Sequence, residues 1–192
     1  SSGSSIYVGE VMFNADVTID SSVIASNSTT GGPTILAFND DNSIDISNTV
    51  IVNNNAGTGI LYASGNGDIN ISNSTLYNNP SEGLYKGIML ESGSSLNMTN
   101  TNIYNDGNSV QNNETSNIST ATNNYWGHTS GPYHPSQNSS GQGDSVNIFV
   151  NVNPWLTTPN ISAPPIPAQN TTVTSTGNDF ISLKWDTSPL GD

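Results

Sequence analysis

"INISNSTLYNN", residues 69–79, alternates aliphatic side chains with Asn and Ser and holds two consecutive Asn-x-Ser/Thr sequons, at 70–72 and 73–75. Three further stretches align with it: "VTIDSSVIASN" (17–27), "IDISNTVIVNN" (44–54) and "LNMTNTNIYND" (96–106). Val17, Ile44, Ile69 and Leu96 share the first apolar column, and Ile19, Ile46, Ile71 and Met98 the second. Ser21, Asn48, Asn73 and Asn100 stand two residues further on, then Ile24, Ile51, Leu76 and Ile103, then Ser26, Asn53, Asn78 and Asn105. The copies start 27, 25 and 27 residues apart. Each period also contains a second short apolar stretch, "TILAF" (34–38), "GILYA" (59–63) or "GIMLE" (87–91), and "SSIYVGEVMFNAD" opens the chain as an incomplete copy.

A repeat of this length, made of short strands bounded by Gly, Asn, Asp and Ser, predicts a solenoid. The dense Leu signature of leucine-rich repeats is missing, and no 3.6-residue period supports a helical repeat. A parallel β-helix of about four to five coils remains, its strands stacked about 4.8 Å apart. In it Ile69 and Ile71 point inward and Asn70 outward. Asn48, Asn73 and Asn100 are expected at the bend after each strand as an inward ladder, because each amide can donate to and accept from the next. Left unpaired inside, each would cost about 1–3 kcal/mol.

Composition narrows the function. The formal net charge is −13, with Lys86 and Lys184 the only basic side chains and no Arg. Phosphate binding needs clustered cations, so nucleic acid is excluded as a partner. No run of 18 apolar residues predicts a membrane span, so direct membrane insertion is not expected. There is no Cys, while the 30 asparagines, with abundant Ser and Thr, suit an exported surface protein.

The segment "NNYWGHTSGPYHPSQNSSGQGDSVNIFVNVNPWL" (123–156) resembles the closing run of right-handed parallel β-helix domains in pectate-lyase-like and NosD-like surface proteins. The likeness lies in Asn-Asn-aromatic-Trp-Gly at 123–127, Gly-Pro at 131–132, Gly-x-Gly-Asp-x-Val at 141–146 and Pro-Trp-Leu at 154–156. It implies a β-helix over 1–157 whose last coil is closed by a cap at 123–157, with Trp126 and Trp155 covering the apolar end. A Pro-rich linker at 158–169 is expected to be extended and stiff. Beyond it, 170–192 resembles the first strands of a fibronectin type III domain, with Trp185 in the core position. Such a sandwich needs about 100 residues. The strands therefore belong to a module that continues past them, or they complete a sheet in another chain by strand donation.

Catalysis is not expected. The lyases of the resembled family use an Arg base, and this chain has none. Asp20 and Asp45 stand near a column that Asn70 and Asn97 continue, which reads as solvent surface. His128, His134 and Asp144 fall in the capping loop and are read as structural, so neither a metal site nor a cofactor is assigned. Calcium is the ion that the oxygen-rich turns at 38–43 and 104–107 would suit, although such turns need none. Nine sequons are present. Eight are glycosylation candidates: Asn27, Asn70, Asn97, Asn113, Asn117, Asn138, Asn160 and Asn170. Asn73 is expected to stay bare because of the ladder.

The reading is a structural, glycosylated extracellular protein of a prokaryotic, candidate archaeal, cell surface. It would build a filament, sheath, S-layer or adhesin through self-association or contact with other surface subunits. The alternative is a carbohydrate-active or carbohydrate-binding β-helix, with Tyr62 and Tyr77 as its aromatic contacts.

Overall fold

A computed structural model describes residues 6–8, 15–38, 42–79, 87–104 and 106–188. Lys86, Asn105 and most of the opening copy lie outside the described residues, as does much of the 38–43 turn.

The chain winds in coils of up to three strands. They are β1 (Ile6–Val8), β2 (Asp16–Asp20) and β3 (Val23–Ala25); β4 (Ile35–Phe38), β5 (Ser43–Ser47) and β6 (Val50–Val52); and β7 (Leu61–Ser64), β8 (Asp68–Ser72) and β9 (Thr75–Tyr77). Then follow β10 (Ile88–Leu90), β11 (Ser95–Thr99) and β12 (Asn102–Tyr104), with β13 (Asn108–Asn112) and β14 (Ser119–Thr120) in the next coil. The closing segment holds β15 (Pro132–Tyr133), β16 (Gly143–Val146) and β17 (Val150–Asn151), and a hairpin ends it, β18 (Thr172–Thr176) and β19 (Ile181–Lys184). Like strands stack into three parallel walls: a first sheet β1-β4-β7-β10-β13-β16-β15, a second β17-β14-β11-β8-β5-β2 and a third β12-β9-β6-β3. This is an all-β parallel solenoid of about five coils, with no helix among the described residues.

Register follows the repeat. Ile44 pairs with Ile69 and Ile69 with Leu96, and Ile51 pairs with Leu76 and Leu76 with Ile103. These residues, with Ile35, Leu61, Ile88 and Val110 of the first sheet, form one buried column-built core. Each fully buried Ile or Leu contributes about 1.5–3 kcal/mol by leaving water.

The corners explain the asparagines. Ser21, Asn48, Asn73, Asn100 and Asn123 have φ between 44° and 58°, and so do Ser26, Asn53 and Asn78 at the next corner. One left-handed residue turns the chain between sheets, and Asn adopts that region most readily after Gly. The expected inward ladder at Asn48, Asn73 and Asn100 is therefore corrected: Asn48 and Asn100 are exposed and Asn73 is half-buried. Asn73 Nδ2 donates to Asn48 Oδ1 at 2.7 Å, and Asn48 Nδ2 to Asp20 Oδ1 at 2.8 Å, on the outside of the coil.

The inward ladders lie one residue later. Backbone N–H groups of Ser22, Thr49, Ser74 and Thr101 donate in turn to Thr49 Oγ1, Ser74 Oγ, Thr101 Oγ1 and Asn124 Oδ1. At the other corner Asn27 Nδ2 donates to Asn54 Oδ1 at 2.9 Å and Asn54 Nδ2 to Asn79 Oδ1 at 3.0 Å. Asn79 N donates to Asp106 Oδ1 at 2.6 Å, and Asp106 N to Asp144 Oδ2 at 3.0 Å. Asn54 and Asn79 are fully buried and Asp106 nearly so.

At the closing end Trp126 is fully buried, and Trp155 packs half-buried against the same core. Gly131, at φ 76°, lies under Trp155, where a Cβ would stand 2.5 Å from the indole. That contact admits only glycine.

Candidate functional site

The outward side of the second sheet carries Asp16, Asp20, Asp45 and Asp68. In register each faces Ser, Thr or Asn, and no two of these carboxylates are neighbours. Ser43, Ser47 and Ser95 donate to Asp16, Asp20 and Asp68 at 2.7, 2.5 and 2.6 Å, and Asn70 donates to Asp45 at 2.8 Å. Asp20 is held below the usual carboxylate range, first by the Ser47 hydroxyl and then by the Asn48 amide. Asp20 and Asp45 occupy separate columns, paired with Ser47 and Asn70. Paired glycosidase carboxylates must flank a bond from two sides, and a flat wall of individually bonded aspartates does not supply that geometry.

His134 is buried within the closing segment. Its Nδ1 accepts from the N–H groups of Ser136 and Gln137 at 3.1 and 2.9 Å, and Nε2 lies 3.0 Å from Val150 O. Both nitrogens are thus engaged, and burial lowers its pKa by disfavouring the charged ring. His128 instead pairs Nδ1 with Ser130 Oγ at 2.8 Å, and Asp144 Oδ2 accepts from Asp106 N and Ser109 Oγ. No group of three His, Asp or Glu suited to a metal ion occurs among the described residues.

Asp106 ends the buried amide ladder with a carboxyl. Burial raises its pKa to about 7, helped by the Asp144 charge and opposed by the bonds from Asn79. A carboxyl raised in the folded state contributes stability that is complete below its unfolded value near 3.8 and is lost as pH rises through about 7. Asn has the shape of the protonated acid and keeps the acceptor for Asn79. Asp106→Asn is therefore expected to match the parent near pH 4 and to exceed it by about 4 kcal/mol at pH 8. Urea unfolding across that range checks this. A difference that does not grow with pH would contradict it.

On the outer side of the first sheet, Pro33, Leu36, Phe38, Thr58, Tyr62, Met89 and Glu91 line a shallow apolar groove. The Tyr62 hydroxyl donates to Glu91 Oε2 at 2.7 Å. Tyr77 does not join it. It stacks on Tyr104, ring centroids 4.6 Å apart, and packs with Val50, Val52 and Ile166.

The segment after the cap turns at Ile161 and Ser162, where Ala163 N donates to Asn160 O at 3.3 Å, and it is docked as a strap along the third sheet. Asn160 N donates to Asn102 Oδ1 at 2.8 Å, and Asn102 Nδ2 donates to Asn160 O at 3.0 Å. Thr75 Oγ1 donates to Pro164 O at 2.7 Å, Ile166 covers Val50 and Val52, and Asn53 Nδ2 donates to Gln169 Oε1 at 2.7 Å. The strap runs from β12 past β9 to β6, back toward the first coil. Ile166→Asp is expected to lift its distal half and raise hydroxyl-radical labelling of Tyr77, which packs with Ile166, severalfold, with the coils intact. Unchanged labelling of Tyr77 would contradict the docking.

The hairpin at the strap's far end exposes Val173, Phe180, Ile181, Leu183 and Trp185, each more than half. Val173 faces Leu183 in register, and Ile181 and Leu183 alternate onto one side. This is the largest run of exposed apolar side chains among the described residues, and a two-stranded ribbon cannot bury it alone.

The sequons fall in distinct settings. Asn97 and Asn117 are exposed, as are Asn113 and Asn170, whose amides donate to Glu91 and Asp186. Asn70 is half-buried in the outward column shared with Asn97. Asn27, Asn138 and Asn160 are half-buried with their amides bonded inside the fold.

No family model, curated protein or solved structure matches this chain.

Proposed function

We propose that this protein is a structural building block of an extracellular surface assembly, a filament, sheath, S-layer or adhesin, and is not an enzyme. Its solenoid resembles those of pectate-lyase-like and NosD-like surface proteins, and its hairpin the opening strands of a fibronectin type III module. One observation carries the reading: the largest run of exposed apolar side chains among the described residues lies on a hairpin tethered to the side of the rod, while the aspartates of the second sheet lie dispersed over a flat wall. A rod with one sticky, strand-built attachment point joins neighbours in series. Hydrogen exchange on native surface material tests it, before and after dispersal. Residues 172–184 are expected to be protected in the assembly and to lose that protection on dispersal. Equal exchange in both states would overturn the role of the hairpin.

A polysaccharide-binding reading draws on the Tyr62–Glu91 groove, since aromatic faces with a nearby carboxylate suit sugar stacking. Saturable binding of acidic or neutral polysaccharides, lost in Tyr62→Ala, would favour it.

A further inference from the structure

N-glycosylation joins the side-chain Nδ2 to the anomeric carbon of a sugar activated as a diphosphate. The N–C1 bond forms, and the C1–O bond breaks with its electron pair leaving on the diphosphate. One Nδ2 proton passes to the transferase base. An acceptor asparagine must therefore release one of its two amide hydrogens and leave room for a sugar ring.

The sequons divide by how many of those hydrogens the fold already uses. Asn27 Nδ2 donates to Ala25 O and Asn54 Oδ1, at 3.3 and 2.9 Å. Asn73 Nδ2 donates to Asn48 Oδ1 and Ser162 O, at 2.7 and 3.2 Å. Asn138 Nδ2 donates to Ser130 O and Pro132 O, at 2.6 and 2.9 Å. Asn160 Nδ2 donates to Asn73 Oδ1 and Asn100 O, at 3.0 and 2.6 Å. In these four both hydrogens are committed, two of the four sites binding the strap to the coils. Asn70, Asn113 and Asn170 each commit one, to a surface carboxylate. The amides of Asn97 and Asn117 donate to none of the described residues.

We infer that the folded chain accepts N-linked sugar at Asn97 and Asn117 first, at Asn113 and Asn170 second, and not at Asn27, Asn73, Asn138 or Asn160. Asn70 is a register partner of Asn97 one strand away. Strands about 4.8 Å apart leave no room for two sugar rings side by side, so Asn97 shields it. Asn97 lies on the second sheet, and Asn113 and Asn117 in the loop that leads into it from the first. Sugar at Asn97, Asn113 and Asn117 thus gathers over one wall and its corner, and at Asn113 it reaches the Glu91 edge of the groove. The inference deepens the surface-protein reading, on which its biological setting rests, but its test is independent of assembly.

The test treats the folded full chain with a soluble N-glycosyltransferase and UDP-glucose, alongside synthetic peptides spanning each sequon. Mass spectrometry then gives the rate at every site relative to its own peptide. Asn97 and Asn117 are expected near their peptide rates, and the four doubly bonded sites about a hundredfold slower, the cost of opening two hydrogen bonds. Thr99→Ala, which destroys the Asn97 sequon, is expected to let Asn70 react. Peptide-like rates at Asn27 or Asn138 in the folded chain would overturn the inference, as would failure of Asn97 and Asn117 to react. Native surface material that shows no ordered units, with this order of sites intact, would sink the assembly reading and leave the inference standing.

Discussion

Asn79→Leu is expected to destabilise the protein by about 3–6 kcal/mol, while Asn73→Gly costs about 1 kcal/mol or less. Both residues come from the same eleven-residue stretch, and both are asparagines. Asn79 is fully buried, and its Oδ1 accepts from Asn54 N and Nδ2 at 3.1 and 3.0 Å. Its Nδ2 donates to Ile51 O at 3.0 Å. Leu fills the space, so no water can enter to replace the lost partners, and at least two donors of Asn54 are orphaned inside. Each orphan costs about 1–3 kcal/mol, against a typical total stability of about 5–15 kcal/mol. Asn73 loses only bonds at the surface and under the strap, and Gly adopts its φ of 44° without strain. Urea midpoints of the two variants decide the matter. Equal losses, or the reverse order, would place the load on the outer column.

Trp126→Ala is expected to cost about 3–5 kcal/mol, the usual range for a large aromatic removed from a packed core. The side chain is fully buried, and its carbonyl accepts from Asp144 N at 2.9 Å. The chain crowds around it: a Cβ on Gly127 would stand 2.7 Å from the Tyr104 Cβ, and one on Gly143 2.2 Å from Trp126 O. Such surroundings cannot collapse into the space an indole leaves. Trp155 is only half-buried, so Trp155→Ala is expected to cost about half as much. Thermal unfolding of both variants checks the order. Equal small shifts would mean that the last coil does not depend on this plug.

The repeat was legible because Ile and Leu recur at fixed columns, and burying those columns dictates parallel stacking. The inner ladders were misplaced by one residue, for a specific reason. Alternation along a strand puts every second side chain inside, but a left-handed residue at each corner inserts an extra step. In 69–79 the inward positions run 69, 71, 74, 76 and 79, so Asn73 turns out and Ser74 turns in. The signal was present in the last column of the aligned copies, Asn27, Asn54, Asn79 and Asp106, which stays amide-like across four coils.

The strap was harder to see. Pro and Ala at 163–168 read as a spacer, and nothing local says that it docks. The signal lay in the other partner. "VIV" at 50–52 is apolar at outward as well as inward positions, the mark of a strand covered on both sides, and all three residues are buried. Tyr62 and Tyr77 looked alike in sequence, yet one lines an open groove and the other lies with Ile166 beneath the strap.

The function proposed for this solenoid is to build a surface structure. Electron microscopy of native cell-surface material, before and after shearing, tests it most directly. An ordered filament or lattice whose repeating unit fits one solenoid, with residues 172–184 at the contact between units, is the predicted result. Dispersed single rods with no higher order, in material that cleaves or retains polysaccharide, would contradict it.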